Sequence, residues 1–147
     1  MESLYFEDFE LGQEFETHSR TITEADVMTF AGLSGDFHPL HTDEEFAKKT
    51  MFGGRIAHGL LGLSIASGLI NQMGMGENTV LAFLGLTWSF KGALKFGDTI
   101  TVRQRVAEKR ATSKPDRGIL RMAISVLNQR GEIVQEGEHT LMIRRRV

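Results

Sequence analysis

Residues 57–73 read AHGLLGLSIASGLINQM, and no Lys, Arg, Asp or Glu occurs anywhere from Ile56 to Gly76. Leu60, Leu61, Leu63, Ile65, Leu69, Ile70 and Met73 cover most of the circumference of a helix over about 57–73. A helix that is apolar all round is enclosed by other structure. Gly59, Gly62 and Gly68 weaken such a helix, which makes sense where a sheet or another backbone packs close against it. The polar residues His58, Ser64, Ser67, Asn71 and Gln72, with five glycines, separate the run from a membrane span. A span needs about 20 predominantly apolar residues.

Outward from this helix toward the C-terminus the period changes to two. Leu86, Trp88 and Phe90 alternate with Thr87 and Ser89. Ile100 and Val102 alternate with Thr101 and Arg103, and Leu120, Met122, Ile124 and Val126 with Arg121, Ala123 and Ser125. These are half-buried antiparallel strands. Pro115-Asp116-Arg117-Gly118 and Asn128-Gln129-Arg130-Gly131 supply the turns, and a last strand is expected over about 132–144.

Toward the N-terminus, residues 13–22 (QEFETHSRTI) are expected as one strand. Thr23 with Asp26 three residues on forms a capping box, and Gly35 ends the helix so begun. A second start is expected at Thr42, with Glu45 as its box partner, ending before Gly53-Gly54. The order is then one strand, two short helices, the apolar helix and four strands. The economical packing is α+β, a curved antiparallel sheet wrapped around the apolar helix. Its open edges invite edge-to-edge pairing of two subunits.

The bulk numbers agree with a single domain over 1–147. Seventeen basic against 19 acidic residues, a net −2, attract neither nucleic acid nor an anionic membrane. The absence of cysteine excludes disulfides and thiol catalysis and fits a reducing cytoplasm. The acidic start, MESLYFEDFELG, is not a signal peptide. The Arg144-Arg145-Arg146 run reads as a solvated tail, with a phosphate-bearing group as the weaker alternative.

Between the two short helices stand Ser34-Gly35-Asp36-Phe37-His38-Pro39-Leu40-His41-Thr42-Asp43. Pro39 forbids a regular helix through the segment, so the chain turns, and Asp36 and His41 can face one small volume. A carboxylate and an imidazole, tuned by burial and by each other, suit hydration of a double bond conjugated to a carbonyl. That chemistry also needs a stabilised enolate oxygen. The free N–H groups at the start of the apolar helix, around Gly59, can supply it. Ser67, two turns on, can offer a hydroxyl. The bland readings stand beside these: Asp36 as a turn residue, His41 as a satisfied histidine, His38 and His58 as structural groups, Ser67 as a small packing residue. A metal site from Asp36, His38, His41 and Asp43 is disfavoured, because histidines one helical turn apart cannot form across Pro39. No nucleotide fingerprint and no nucleophile elbow is present.

Residues 21–27 (TITEADV), 30–43 (FAGLSGDFHPLHTD) and Phe46-Ala47, with Ile56-Ala57-His58-Gly59 and Phe96-Gly97-Asp98-Thr99, resemble the MaoC-like dehydratases. That family includes the (R)-specific enoyl-CoA hydratases. The resemblance covers nearly the whole chain and implies a hotdog fold, with a short-helix overhang carrying the catalytic pair, and a homodimer or oligomer of dimers. It implies Asp36 and His41 as catalytic residues, the Gly59 amide as oxyanion hole and a substrate contact at Ser67; His38 and His58, beside the pair, are further candidates for substrate contact. The implied reaction is reversible syn hydration of a trans-2-enoyl-CoA to the (R)-3-hydroxyacyl-CoA, with CoA as carrier and no metal or organic cofactor. A thioesterase on the same fold and a non-catalytic acyl-CoA-binding subunit are the alternatives. Two departures touch the site region: histidine at 38, often asparagine in relatives, and Lys91-Gly92-Ala93-Leu94-Lys95 without the proline often found there.

Overall fold

The computed structural model describes residues 2–147. Strands β1 (Glu14–Glu16) and β2 (Arg20–Thr21) lead into helices α1 (Glu24–Ser34), α2 (Pro39–Thr42), α3 (Glu44–Lys48) and α4 (Gly59–Gln72). Strands β3 (Val80–Phe90), β4 (Thr99–Ala111), β5 (Arg117–Leu127) and β6 (Ile133–Arg144) follow. The sheet is antiparallel in the order β1-β4-β5-β6-β3, and β2 also pairs with β4. Its inward residues, among them Val102, Val106, Leu120, Met122, Ile124 and Ile143, pack on Leu61, Ile65, Ala66 and Leu69 of α4. This is the hotdog arrangement, a sheet curved over one apolar helix.

The expected single strand over 13–22 is two short ones. Thr17 turns inward between them, and its hydroxyl accepts the Val102 N–H at 3.0 Å in place of a ladder carbonyl. The capping box at Thr23 and Asp26 forms, and Gly35 closes α1 at φ 78°. The second start is different from the expectation. Pro39 occupies the first turn of α2, where its missing N–H costs nothing. Thr42 ends that turn, and the cap of α3 is Asp43, which accepts the Phe46 N–H at 3.0 Å.

Helix α4 is enclosed on one side only. Leu60 is 59% exposed, and Ser64, Ser67 and Asn71 are exposed along the same flank. Gly62 is needed for close approach, since a Cβ there would run into Leu94 and the Gln135 amide; Gly68 faces open space. Neighbouring β3 is an edge strand without clean alternation, bulged between Val80 and Ala82 and between Phe83 and Gly85. Leu81, Phe83, Leu84, Leu86 and Phe90 are all exposed on it. No helix is long and apolar enough to cross a membrane among the described residues.

The terminal arginines are not all solvated. Arg145 donates to Glu7 at 2.9 Å, and Arg146 holds Asp8 through both guanidinium arms. Arg145 and Lys109 lie over the Phe6 ring and Arg146 over Tyr5. A short 3-10 turn, Phe6–Asp8, is thereby pinned to the end of β6.

Candidate active site

The overhang of α1, α2 and α3 is tied to the strap 55–58 before α4. The Arg55 guanidinium donates to Glu44 and Glu24, each at 2.8 Å, and lies over the Phe96 ring. The Ile56 N–H donates to the Leu40 carbonyl and the Ala57 N–H to Leu94. The strap is thus held between the overhang and the loop 91–98. That loop is fixed in turn by buried Asp98, whose carboxylate accepts from the Lys95 N–H and from Gln129.

This framing brings Asp36, His41 and His58 together. One carboxylate oxygen and one nitrogen from each imidazole lie within 4.8 Å of one another. His41, on α2, is buried, and its Nδ1 is 2.8 Å from the Ile56 carbonyl. A carbonyl only accepts, so Nδ1 carries the hydrogen and Nε2 of the neutral ring keeps a free lone pair. Burial pushes the His41 pKa below its ordinary value and His58 adds to this, while the Ile56 hydrogen bond and the Asp36 carboxylate oppose it. The ring is therefore a neutral proton acceptor at pH 7.

Asp36 is exposed in the turn, one of its oxygens accepting the His38 N–H at 3.2 Å. His58 occupies the N-cap position of α4 without a side-chain capping bond and is 2% exposed. Its Nε2 donates to the Asp36 carbonyl at 2.8 Å, and its ring stacks on His41 with centroids 3.8 Å apart. It touches both members of the pair without facing solvent. The two rings are inclined by 25°, and Nδ1 of His58 is buried with no hydrogen-bond partner among the described residues. His38 is exposed and caps α2, its Nδ1 accepting the Leu40 N–H at 3.0 Å.

A cleft of about 470 Å³ opens beside His41, lined by Ile56, Gly59, Leu60, Phe90, Lys91 and Gln135 among others. Gly59 is the first residue of α4, so its N–H has no intrahelical acceptor. A Cβ there would lie 2.7 Å from the Phe90 ring, so glycine keeps both the ring and the amide in place. Sequence reading passed over Gln135. Buried on β6, it donates to the Gly59 carbonyl at 3.0 Å and accepts from the Trp88 indole at 3.0 Å. Its only sequence signal is a polar side chain at an inward position of a strand.

Residues 8–126 match the family pattern described as a MaoC like domain. The chain belongs to that family. Among relatives of this MaoC-like chain, an (R)-specific enoyl-CoA hydratase from Rhodospirillum rubrum is 34% identical, over 95% of the chain and 91% of the relative. A 3-hydroxybutyryl-CoA dehydratase from Methylorubrum extorquens is 36% identical, over 92% of the chain and 81% of the relative. A solved structure of a monoamine oxidase regulatory protein from Archaeoglobus fulgius superposes with a TM-score of 0.93 at 40% identity, covering 100% and 98% of the two chains.

One residue expected at the site of this MaoC-like chain lies apart from the rest. Ser67, on the exposed flank of α4, lines a different hollow with Phe83 and His139. Eight residues separate it from Gly59, about 12 Å along a helix. Within one chain Ser67 does not join Asp36 and His41.

Proposed function

We propose that this protein is a hydro-lyase that interconverts trans-2-enoyl-CoA and (R)-3-hydroxyacyl-CoA. The reading is carried by the neutral imidazole of His41 and the Asp36 carboxylate, both acceptors, which meet each other while His41 shares one cleft with the first residue of α4, Gly59. A water held by the pair gives up a proton to it as its oxygen adds to C3 of the enoyl group. The charge that develops on the thioester oxygen is met by the Gly59 N–H and the positive end of α4. The same proton then passes to C2, so the pair ends as it began and no separate acid is required. Shuttling one proton on one face agrees with syn addition. Neither step calls for a metal or an organic cofactor.

His58 orients both partners and His38 holds the turn, so both act through the pair and neither lines the cleft. The relatives named for hydration and dehydration of CoA thioesters support the substrate class. The bare flank of α4 and the apolar edge strand β3 support a homodimer formed across them. A cytoplasmic setting fits the cysteine-free composition.

The test is direct. With trans-2-enoyl-CoA, the conjugated absorbance falls, no free thiol appears and chiral analysis returns the (R)-alcohol. Release of thiol would instead mark a thioesterase, and binding without turnover a carrier subunit. Asp36→Asn and His41→Ala each lower kcat by ~10²-fold or more with the fold intact. A loss of less than tenfold in a folded variant defeats the assignment.

A further inference from the structure

A second hollow, of about 300 Å³, lies between α4 and the sheet. Ile70, Phe83, Leu120, Met122 and Leu141 make it mostly apolar. Ser67 and Asn71 stand at its exposed α4 side, and two buried polar side chains interrupt the wall, Gln104 from β4 and His139 from β6. The Gln104 amide has only a weak contact, 4.0 Å from the Met73 sulfur. The Nε2 of His139 is buried and has no hydrogen-bond partner among the described residues. Phe83 and Trp88 flank the His139 ring, with centroids at 5.1 and 5.5 Å, and limit how it can turn.

An unpaired polar atom in an apolar wall is costly unless something pairs it. We propose that His139 is a specificity-determining residue that favours acyl chains carrying a hydroxyl or keto oxygen toward their distal end. The inference rests on the thioester reading above and names its substrate class more narrowly. The route is the flank of α4 that one chain leaves bare and that the second copy of the proposed homodimer would roof. A chain whose thioester sits at Gly59 passes Leu60 and Leu63 and reaches Ser67 after about 12 Å, where Ser67, Phe83 and His139 share one mouth. Burial pushes the His139 pKa down, so the ring is neutral, with one donor and one acceptor. Such a ring accepts from a hydroxyl or donates to a ketone. No Asp, Glu, Lys or Arg lines the hollow, so a distal carboxylate would be buried without a counter-charge.

The experiment compares trans-2-enoyl-CoA substrates of matched length, with and without a terminal hydroxyl, across short, medium and longer chains. At the best-fitting length the hydroxylated chain should have a kcat/KM at least about tenfold higher, the lower end of what pairing an otherwise unsatisfied buried polar atom is worth. His139→Leu should collapse that ratio toward unity, and His139→Gln should restore part of it. His139→Phe replaces the leucine variant if that one does not fold. Calorimetric binding of the saturated thioesters, which cannot be hydrated, should rank the chains the same way. If no thioester is hydrated but binding keeps this order, the catalytic reading fails and the cavity assignment stands. A ratio below tenfold at every length, or one unchanged by His139→Leu, overturns the proposal.

Discussion

At the scale of single residues, the site is built from tautomers as much as from positions. The Ile56 carbonyl commits Nδ1 of His41 to donating, and the Asp36 carbonyl does the same for Nε2 of His58. Neither partner could be read from the sequence, because each is a backbone oxygen brought up by the fold. The titration of two buried histidines follows with a definite sign. In the folded chain, burial holds His41 and His139 below the ordinary imidazole value of 6.5. The unfolded chain therefore binds more protons once pH falls below about 6.5. Stability is full above that value and declines on acidification. Urea midpoints at neutral and mildly acidic pH should show the decline, and His139→Leu should make it shallower. The acid limb of kcat/KM should likewise fall below the range of an ordinary imidazole, since it reports the free enzyme.

At the scale of elements, legibility varied with what had to be known. The Thr23 box, the Gly35 stop and the alternating strands β4 and β5 are local patterns, and the chain folds as they indicate. The start of α3 was displaced from Thr42 to Asp43 because Pro39 opens a helical turn of its own. Asp36 and His41 could be singled out by type and spacing; Gln135 could not, since its partner Gly59 lies 76 residues away. The glycines of α4 looked alike in sequence and differ in surroundings. Gly62→Ala gains helix propensity of up to about 1 kcal/mol but drives a methyl into Leu94 and Gln135, an overpacking worth about 1–3 kcal/mol. It should lower Tm. Gly68→Ala meets open space and should raise Tm. Thermal unfolding of the two variants side by side checks the pair.

At the scale of the whole molecule, the expectation that α4 is wrapped all round holds on the sheet side and fails on the other. The helical phase of Leu60, Leu63 and Ile70 predicts burial, yet a single chain leaves their flank partly bare. Periodicity tells which residues shun water but not whether their own chain or another covers them. Edge strand β3 extends the same surface, with Phe83 and Phe90 more than half exposed. The proposed homodimer should sediment at twice the 16.4 kDa chain mass. Leu84→Asp, which puts a charge on the edge without entering the acyl hollow, should shift it toward the monomer.

That bare flank has a consequence for every measurement made on the protein. The surface that would meet a second copy also forms the route between the cleft and the hollow, so assembly and turnover are linked by mass action. Specific activity should sag as the sample is diluted toward the dissociation constant, and a progress curve begun from a dilute stock should open with a lag. Melting temperatures compared between laboratories would carry the protein concentration as a hidden variable.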